Sequence, residues 1–140
     1  MMGSHCLRTQ SSTQSTIGLN SGGSEYYGIV KIASIGLGAR AMYADYAMHM
    51  GVRLWTDSSA ARSMSQRRGL GTQRHVDARY LWVQQKVQQK EVEVMKEKGQ
   101  RNCADVLTKH VDARHAEFLI GLMGFHFVHE EHPTALKTLK

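Results

Sequence analysis

The chain has 140 residues and a formal charge of +6, and its length is sufficient for one domain with a hydrophobic core. Apolar residues make up 41% of it and there is a single proline, a composition that excludes a disordered, linker-like chain. No apolar run approaches the ~20 residues that cross a bilayer. The two cysteines, Cys6 and Cys103, form no CxxC pair, so we expect a reduced, intracellular protein without a membrane segment.

The first half of the chain predicts a strand, a long helix and a second strand. Residues 16–19 favour β-structure and predict the end of an extended segment. Apolar residues at helical spacing predict a helix over residues 25–48. Gly36 and Gly38 lie inside this helix and cost about 1 kcal/mol each relative to alanine, so a kink or a break is expected there. The run "VRLWTD", residues 52–57, alternates and predicts a strand.

The second half of the chain predicts four helices and one strand. Asp57 or Ser58 caps a short helix, "SSAARSMSQRR", and a further helix, "HVDARYLWVQQKVQQK", leads into the alternating strand "EVEVMKE". Two more helices, "CADVLTKHV" and "RHAEFLIGLMGF", precede a polar tail over residues 125–140. Strands separated by helices indicate an α/β fold with parallel strand pairs.

Three acidic residues lie where a helix is predicted to begin. Glu25 is in the first turn of the long helix, Asp57 ends a strand, and Asp105 opens a late helix. Singly, each carboxylate can stabilise a helix N-terminus by a few tenths to about 1 kcal/mol. Together they would repel one another unless a cation neutralised them, and Mg²⁺ binds a few carboxylates plus a phosphate. Helix capping and a metal site therefore remain open as interpretations.

Basic residues crowd the segment that follows Asp57. The candidates for binding nucleic acid are Arg62, Arg67, Arg68, Arg74 and His75. A solvated arginine-rich face and a phosphate-binding face are both compatible with this charge. For His75, the favoured interpretation is a surface or helix-start histidine, and contact with the active site or the hybrid backbone is the alternative. Contacts to phosphates would be independent of base sequence and sensitive to salt.

The aromatic residues divide into core and surface candidates. Trp55 and Trp82 lie on predicted core elements, and we expect both of them to pack in the core. Tyr26 and Tyr27 flank Glu25, and one of the two is expected to face away from the core. A tyrosine in that position could stack on the substrate.

Four blocks of the sequence resemble one known family. The blocks "SSTQSTIGLNSGGSEYYGIVKIASIGLG", "VRLWTDSSAA", "RHVDARYLWVQQ" and "NCADVLTKHV" resemble the ribonuclease H domain at the C-terminal end of copia-type retrotransposon polyproteins. The blocks keep the family's order and approximate spacing between about residue 3 and residue 124. The resemblance implies a ribonuclease H-like domain over residues 1–124, with a mixed sheet and flanking helices, and a tail over residues 125–140.

The resemblance also implies a reaction. The family cleaves the RNA strand of RNA–DNA hybrids with two Mg²⁺ ions, or Mn²⁺, held by four acidic residues in the order Asp, Glu, Asp, Asp. Glu25, Asp57 and Asp105 match the last three of these four. Under this interpretation the three residues are catalytic metal ligands. The arginine-rich segment then lies where contacts to phosphates are expected, and His75 lies in one of the resembling blocks.

Two departures from the family pattern shape the expectation. No residue matches the family's first Asp, so we expect an N-terminally truncated domain that followed a polymerase region, with impaired activity. In the family this Asp lies on the first strand, and loss of that strand would leave an unpaired sheet edge open to self-association.

The second departure is in the block around Glu25. The family usually reads "SSxEAEY" where this chain has "NSGGSEYYG". The alternatives are a non-catalytic nucleic-acid-binding remnant of the polyprotein and a genomic relic.

Overall fold

The computed structural model describes residues 2–3, 5–14, 20–71 and 76–126. The predicted strand at residues 16–19, the site candidates Arg74 and His75, and the tail from residue 127 onward lie outside the described residues. The chain divides into two compact units. The sheet unit comprises Ser12–Asn102, and the terminal unit joins Met1–Ser11 to Cys103–Lys140.

Helices and strands alternate along the described residues of the sheet unit. Its elements are α1 (Ser21–Ala44), β1 (Val52–Thr56), α2 (Ser59–Gln66), a 3₁₀ turn (Ala78–Tyr80), α3 (Trp82–Gln88), β2 (Val92–Lys96) and a second 3₁₀ turn (Gly99–Arg101). The terminal unit contains α4 (Asp105–Thr108) and α5 (Ala113–Leu122). No helix within the described ranges is long and apolar enough to span a bilayer.

The two strands form a parallel pair, which confirms the predicted α/β class. Their register runs from Val52 opposite Val92 to Thr56 opposite Lys96, and α2 and α3 provide the crossover between them. Side chains alternate between the two faces of each strand, and Leu54 on β1 and Val94 on β2 are buried.

The same alternation corrects the expectation for Trp55. Its neighbours Leu54 and Thr56 are buried, so Trp55 points to the opposite face, and 55% of it is exposed. Its register partner Met95 is exposed on that face as well. Trp82, by contrast, packs against the core as a half-buried side chain. The prediction of core packing is therefore wrong for Trp55.

Helix α1 packs on the sheet unit through one face, on which Tyr26, Ile29, Val30 and Ala33 are buried. It is continuous past Gly36, so the break expected there is absent. A Cβ atom added at Gly36 would lie 2.8 Å from Val52 Cγ1. Glycine at this position therefore allows the helix backbone to approach β1 more closely than any other residue would permit.

A buried amide joins α3 to the loop that follows α2. The side chain of Gln84 is almost fully buried, and its Oε1 accepts a hydrogen bond from Gly69 N at 2.8 Å. Its Nε2 donates to Met64 O at 2.9 Å and to Gly69 O at 3.0 Å. Because each of these buried groups would be costly to leave unpaired, Gln84 stabilises this loop in one conformation.

A charged cluster joins α1, α3 and the start of β2. The Glu91 carboxylate, 28% exposed, contacts Arg40 NH2 at 2.6 Å and Lys86 Nζ at 2.7 Å. Hydrogen bonds from Lys86 and from Arg40 lower the pKa of Glu91 below its ordinary value of 4.5. The arrangement favours the ionised carboxylate in the folded state.

The terminal unit has its own small core around Leu119, which is fully buried on α5. Asp112 caps α5, since its Oδ1 accepts a hydrogen bond from His115 N at 3.0 Å. Cys6 N donates to Met123 O at 3.2 Å, and this bond ties the beginning of the chain to the end of α5. Cys6 and Cys103 are both free thiols.

Alanine substitutions at the two internal glycines of α1 should have opposite effects. A Cβ at Gly38 meets no atom within 4 Å, so Gly38→Ala should raise the free energy of unfolding by about 0.5–1 kcal/mol through helix propensity. Gly36→Ala gains the same propensity but must displace Val52, and overpacking costs about 1–3 kcal/mol. We expect a net loss for Gly36→Ala in urea unfolding. Equal stabilisation by both substitutions would contradict the close approach at Gly36.

The Glu91 cluster should make stability depend on pH. Because the folded-state pKa of Glu91 is depressed, its contribution is complete above the ordinary value of 4.5 and is lost as the pH falls through the lower folded value. Glu91→Gln should therefore lower Tm at pH 7 and reduce the further loss of Tm on acidification. Glu93→Gln is the matched control, because Glu93 is 56% exposed in its pair with Arg53 and should change Tm little.

Candidate functional site

The carboxyl ends of β1 and β2 lie at the same edge of the sheet, because the strands are parallel. Asp57 follows β1 directly, and Lys96 Nζ at the end of β2 donates a hydrogen bond to the Asp57 carbonyl oxygen. Glu97 N donates to Thr56 O at 2.9 Å and extends the strand pairing. A Cβ atom added at Gly99 would lie 4.0 Å from Asp57 Oδ2. The Asp57 carboxylate therefore lies beside the loop that follows β2.

The residue that caps α2 is Ser58. Its Oγ accepts a hydrogen bond from Ala61 N at 3.2 Å, and its own N–H donates to Thr56 Oγ1 at 3.1 Å. Of the two cap candidates in the sequence, Asp57 and Ser58, the structure assigns the role to Ser58. The carboxylate of Asp57 is therefore not required to cap this helix.

Glu25 lies early in α1 and its side chain is exposed. The helix begins after Asn20, whose Oδ1 accepts a hydrogen bond from Gly23 N at 2.7 Å. A Cβ atom added at Gly22 would lie 3.1 Å from Ala60 Cβ in the first turn of α2. The first turns of α1 and α2 are thus in direct contact. Glu25 and Asp57 each lie three residues from that contact.

The tyrosines beside Glu25 anchor this end of α1. The Tyr26 hydroxyl donates to Tyr80 O at 3.0 Å, and burial raises the pKa of Tyr26 to about 12 although the charge of Arg67 opposes the shift. The ring of Tyr27 packs edge-on against Tyr80, with centroids 4.8 Å apart. Both tyrosines are buried, so the expectation that one of them faces away from the core is wrong. The segment around Tyr80 covers this side of the helix as well.

Asp105 belongs to the terminal unit, where it is the first residue of α4. Its carboxylate forms an ion pair with Lys109 at 3.0 Å, one turn later on the same chain segment, and its side chain is 13% exposed. Within the sheet unit, the structure brings together the segments that carry Glu25 and Asp57. Across the described ranges, no group of three or more His, Cys, Asp or Glu side chains is arranged to hold a metal ion.

Three of the predicted phosphate-binding arginines make hydrogen bonds within the sheet unit. Arg62 Nε donates to Val94 O at 3.3 Å, and Arg68 Nε donates to Gln88 Oε1 at 2.9 Å. The Arg67 guanidinium donates to Leu70 O, and its Nε is buried without a hydrogen-bond partner among the described residues. Arg62 and Arg67 also line a shallow groove of about 320 Å³ along α2. Their structural bonds leave part of each guanidinium at this surface.

A second group of cations lies beside Asp57. Lys96, Lys98 and Arg101 line an open groove of about 470 Å³, together with Glu97 and Gly99. The sequence gives little indication of this group, because its three cations are spread over a strand end and a turn. They become neighbours of Asp57 only because β1 and β2 pair in parallel. The alternating strand "EVEVMKE" is the one signal in the sequence that points to this group. If this strand pairs in parallel with the strand before Asp57, its carboxyl end lies beside Asp57.

Comparison of the chain with models of protein families, with curated proteins and with solved structures finds no match.

Proposed function

We propose that this chain is a ribonuclease H-like domain of a copia-type retrotransposon polyprotein, which hydrolyses the RNA strand of RNA–DNA hybrids with divalent metal ions. The observation that carries the proposal is the contact between Gly22 and Ala60, which joins the first turns of α1 and α2. This contact brings the segments of Glu25 and Asp57 together at the carboxyl edge of a parallel sheet. The order and spacing of the four sequence blocks support the same assignment.

The donor set fits Mg²⁺ or Mn²⁺. Glu25, Asp57 and Asp105 supply only carboxylate oxygens, which are the ligands that hard divalent cations prefer. Position 99 is glycine, and a Cβ there would be 4.0 Å from Asp57 Oδ2, so no side chain at position 99 fills the space on this side of the carboxylate. Asp105, in the terminal unit, is assigned to the metal by the resemblance alone.

In this proposal each part of the chain has a separate role. Bound metal ions would activate a water and stabilise the leaving oxygen of the phosphodiester. Glu25 and Asp57 would hold the ions from two helix starts that are already in contact, and Ser58 would keep the Asp57 main chain in place through its cap of α2. The buried Tyr26 and Tyr27 would prevent rotation of the first turns of α1.

The surface around Asp57 suits a nucleic-acid backbone. Lys96, Lys98 and Arg101 lie in the groove beside this carboxylate, and the groove along α2 adds Arg62 and Arg67. Such cations bind phosphates without reading bases, and an A-form-like hybrid is recognised by its shape and its 2′-hydroxyls. Arg68 and Arg74 complete the proposed surface because they belong to the basic segment after Asp57, and His75 because it lies in a block that resembles the family. An intracellular protein joined to a polymerase region is the setting in which this activity would operate.

The sheet edge proposed for self-association is that of β1. On the outer edge of β2, Val94 O already accepts hydrogen bonds from Arg62 Nε at 3.3 Å and Gln66 Nε2 at 3.5 Å. Side chains of α2 therefore cover part of that edge. Among the described residues, no strand pairs with the edge of β1 that faces away from β2. An added strand would extend the sheet there.

Cleavage of a labelled RNA–DNA hybrid by the purified chain tests the proposed function. We expect Mg²⁺- or Mn²⁺-dependent cutting of the RNA strand, and Asp57→Asn should reduce the rate by about 10²-fold or more because it removes a charged metal ligand. Asp45→Asn is the matched control, since Asp45 follows the opposite end of α1, and it should leave the rate unchanged. A folded chain that cuts no hybrid with either metal would refute the enzymatic proposal.

A non-catalytic nucleic-acid-binding role is the second candidate, and the cation groove beside Asp57 favours it. Either role predicts that Lys98→Gln weakens hybrid binding and makes the slope of log affinity against log salt shallower by about 1. Lys90→Gln should leave the slope unchanged, because Lys90 lies before the amino end of β2 and the groove lies at its carboxyl end. Fluorescence anisotropy over a salt series measures both quantities. An unchanged slope for Lys98→Gln would exclude the groove as the binding surface.

A further inference from the structure

Helix α1 carries large apolar side chains that are exposed. Ile32 is 53% exposed, Ile35 is 39% exposed and Met42 is 53% exposed. Ala39 is half-buried between them. We refer to Ile32, Ile35, Ala39 and Met42 as the α1 stripe. A contiguous apolar surface of this kind is uncommon on a monomer and often marks an interface.

The spacing of the α1 stripe is that of a helix–helix seam. Its members follow one another at intervals of three, four and three residues, which is the a/d pattern of a heptad repeat. At about 100° per residue the four side chains lie within a band of about 80°. The centre of the stripe lies about 130° around the helix axis from the centre of the buried residues Tyr26, Ile29 and Ala33. The stripe is therefore centred on a different face of the helix from the one that the sheet unit buries.

The two halves of α1 have different surroundings. Every buried residue of the helix lies at or before Ala33, although the helix continues to Ala44. Its last turns hold Met42 without burial by the rest of the described chain. A helix that is apolar on both faces is normally covered on both. The second face therefore calls for a partner that can pack along the C-terminal half of α1.

We propose that the α1 stripe is the interface of a homodimer in which two copies of α1 pack antiparallel. The twofold axis crosses the pair at the level of Leu37 along the helix. This register sets Ile32 opposite Met42 of the second copy and Ile35 opposite its Ala39. Each of these two contacts occurs twice in the dimer, as an isologous interface requires. In each contact an isoleucine packs against an unbranched or a small side chain, so the side chains of the two helices can interdigitate.

Charge complementarity supports a second copy as the occupant. Lys31 and Asp45 are exposed and lie on the same flank of the α1 stripe, one before it and one after it. The proposed register places Lys31 of each copy against Asp45 of the other, and gives two equivalent ion pairs. Lys31 Nζ is within hydrogen-bond reach of Ser12 Oγ in its own chain, so the ammonium group is already at this surface. In this register the stripe is therefore complementary to its own twofold image in charge.

The size of the stripe sets the expected affinity. Four apolar side chains on each helix form an interface smaller than the ~800 Å² per partner of standard complexes. We therefore expect a dissociation constant in the micromolar range, on the order of 1–100 μM, where small reversible interfaces lie. The dimer depends on α1 alone, so it is independent of the proposed nuclease activity and of strand addition at β1.

Sedimentation equilibrium of the full chain over about 1–500 μM tests the dimer. The wild-type chain should change from monomer to dimer within this range. Met42→Glu should weaken association at least tenfold and leave the circular dichroism spectrum and the monomer Tm unchanged, because Met42 lies beyond the buried half of α1. A wild-type chain that stays monomeric throughout, or a dimer that Met42→Glu does not weaken, would overturn the proposal.

A charge exchange tests the antiparallel register itself. Lys31→Glu and Asp45→Lys should each weaken the dimer, because each places like charges opposite one another. The double variant should restore wild-type affinity, since the exchanged pair is again complementary. Trp55→Glu, on the bare face of the sheet, is the matched control for association elsewhere and should leave the dimer intact. A double variant no tighter than the single ones would refute the register.

Discussion

The parallel pairing of β1 with β2 is the constraint on which the rest of the sheet unit depends. It requires a crossover between the strands, and α2 and α3 supply that connection. It also directs both carboxyl ends to one edge, where Asp57, Lys96 and the loop around Gly99 become neighbours. Without this pairing, Asp57 and Lys96, which are 39 residues apart along the chain, would have no physical relation.

The arginines after Asp57 show how charge in a sequence can serve two purposes. Arg62 reaches the outer edge of β2, while Arg68 bonds α3 through Gln88. Arg67 is drawn further inward, to the Leu70 carbonyl and the neighbourhood of Tyr26. A count of positive charges would assign all of them to the solvent. In the fold they hold the loop after α2 and present only part of their guanidinium groups to a ligand.

Local patterns predict β1 and β2 but not which side chains these strands bury. Strict alternation predicted β2, and the change from "VRLWTD" to a serine-rich run predicted the boundary between β1 and α2. The exposure of Trp55 followed from which face of β1 meets α1, and that choice depends on tertiary packing. Likewise Gly36 looked like a weak point of α1, because the steric demand of Val52 is invisible until the helix is placed on the sheet. The segments of Glu25 and Asp57 were expected to meet, and the contact that joins them, between Gly22 and Ala60, has no signature in the sequence.

The close contact between Gly36 and Val52 is the point on β1 about which a tilt of α1 would turn. Glu25 lies 11 residues before Gly36, a distance of about 16 Å along the helix axis. A tilt of α1 by about 5° around the contact between Gly36 and Val52 would therefore move Glu25 by about 1.4 Å. In the proposed enzyme, that displacement is enough to spoil a shared metal site, since misplacement by about 1 Å can cost about 10²-fold in rate. A half-buried glycine within α1 would thus govern the alignment of Glu25 with Asp57, and variation at position 36 would affect catalysis without any contact with the substrate.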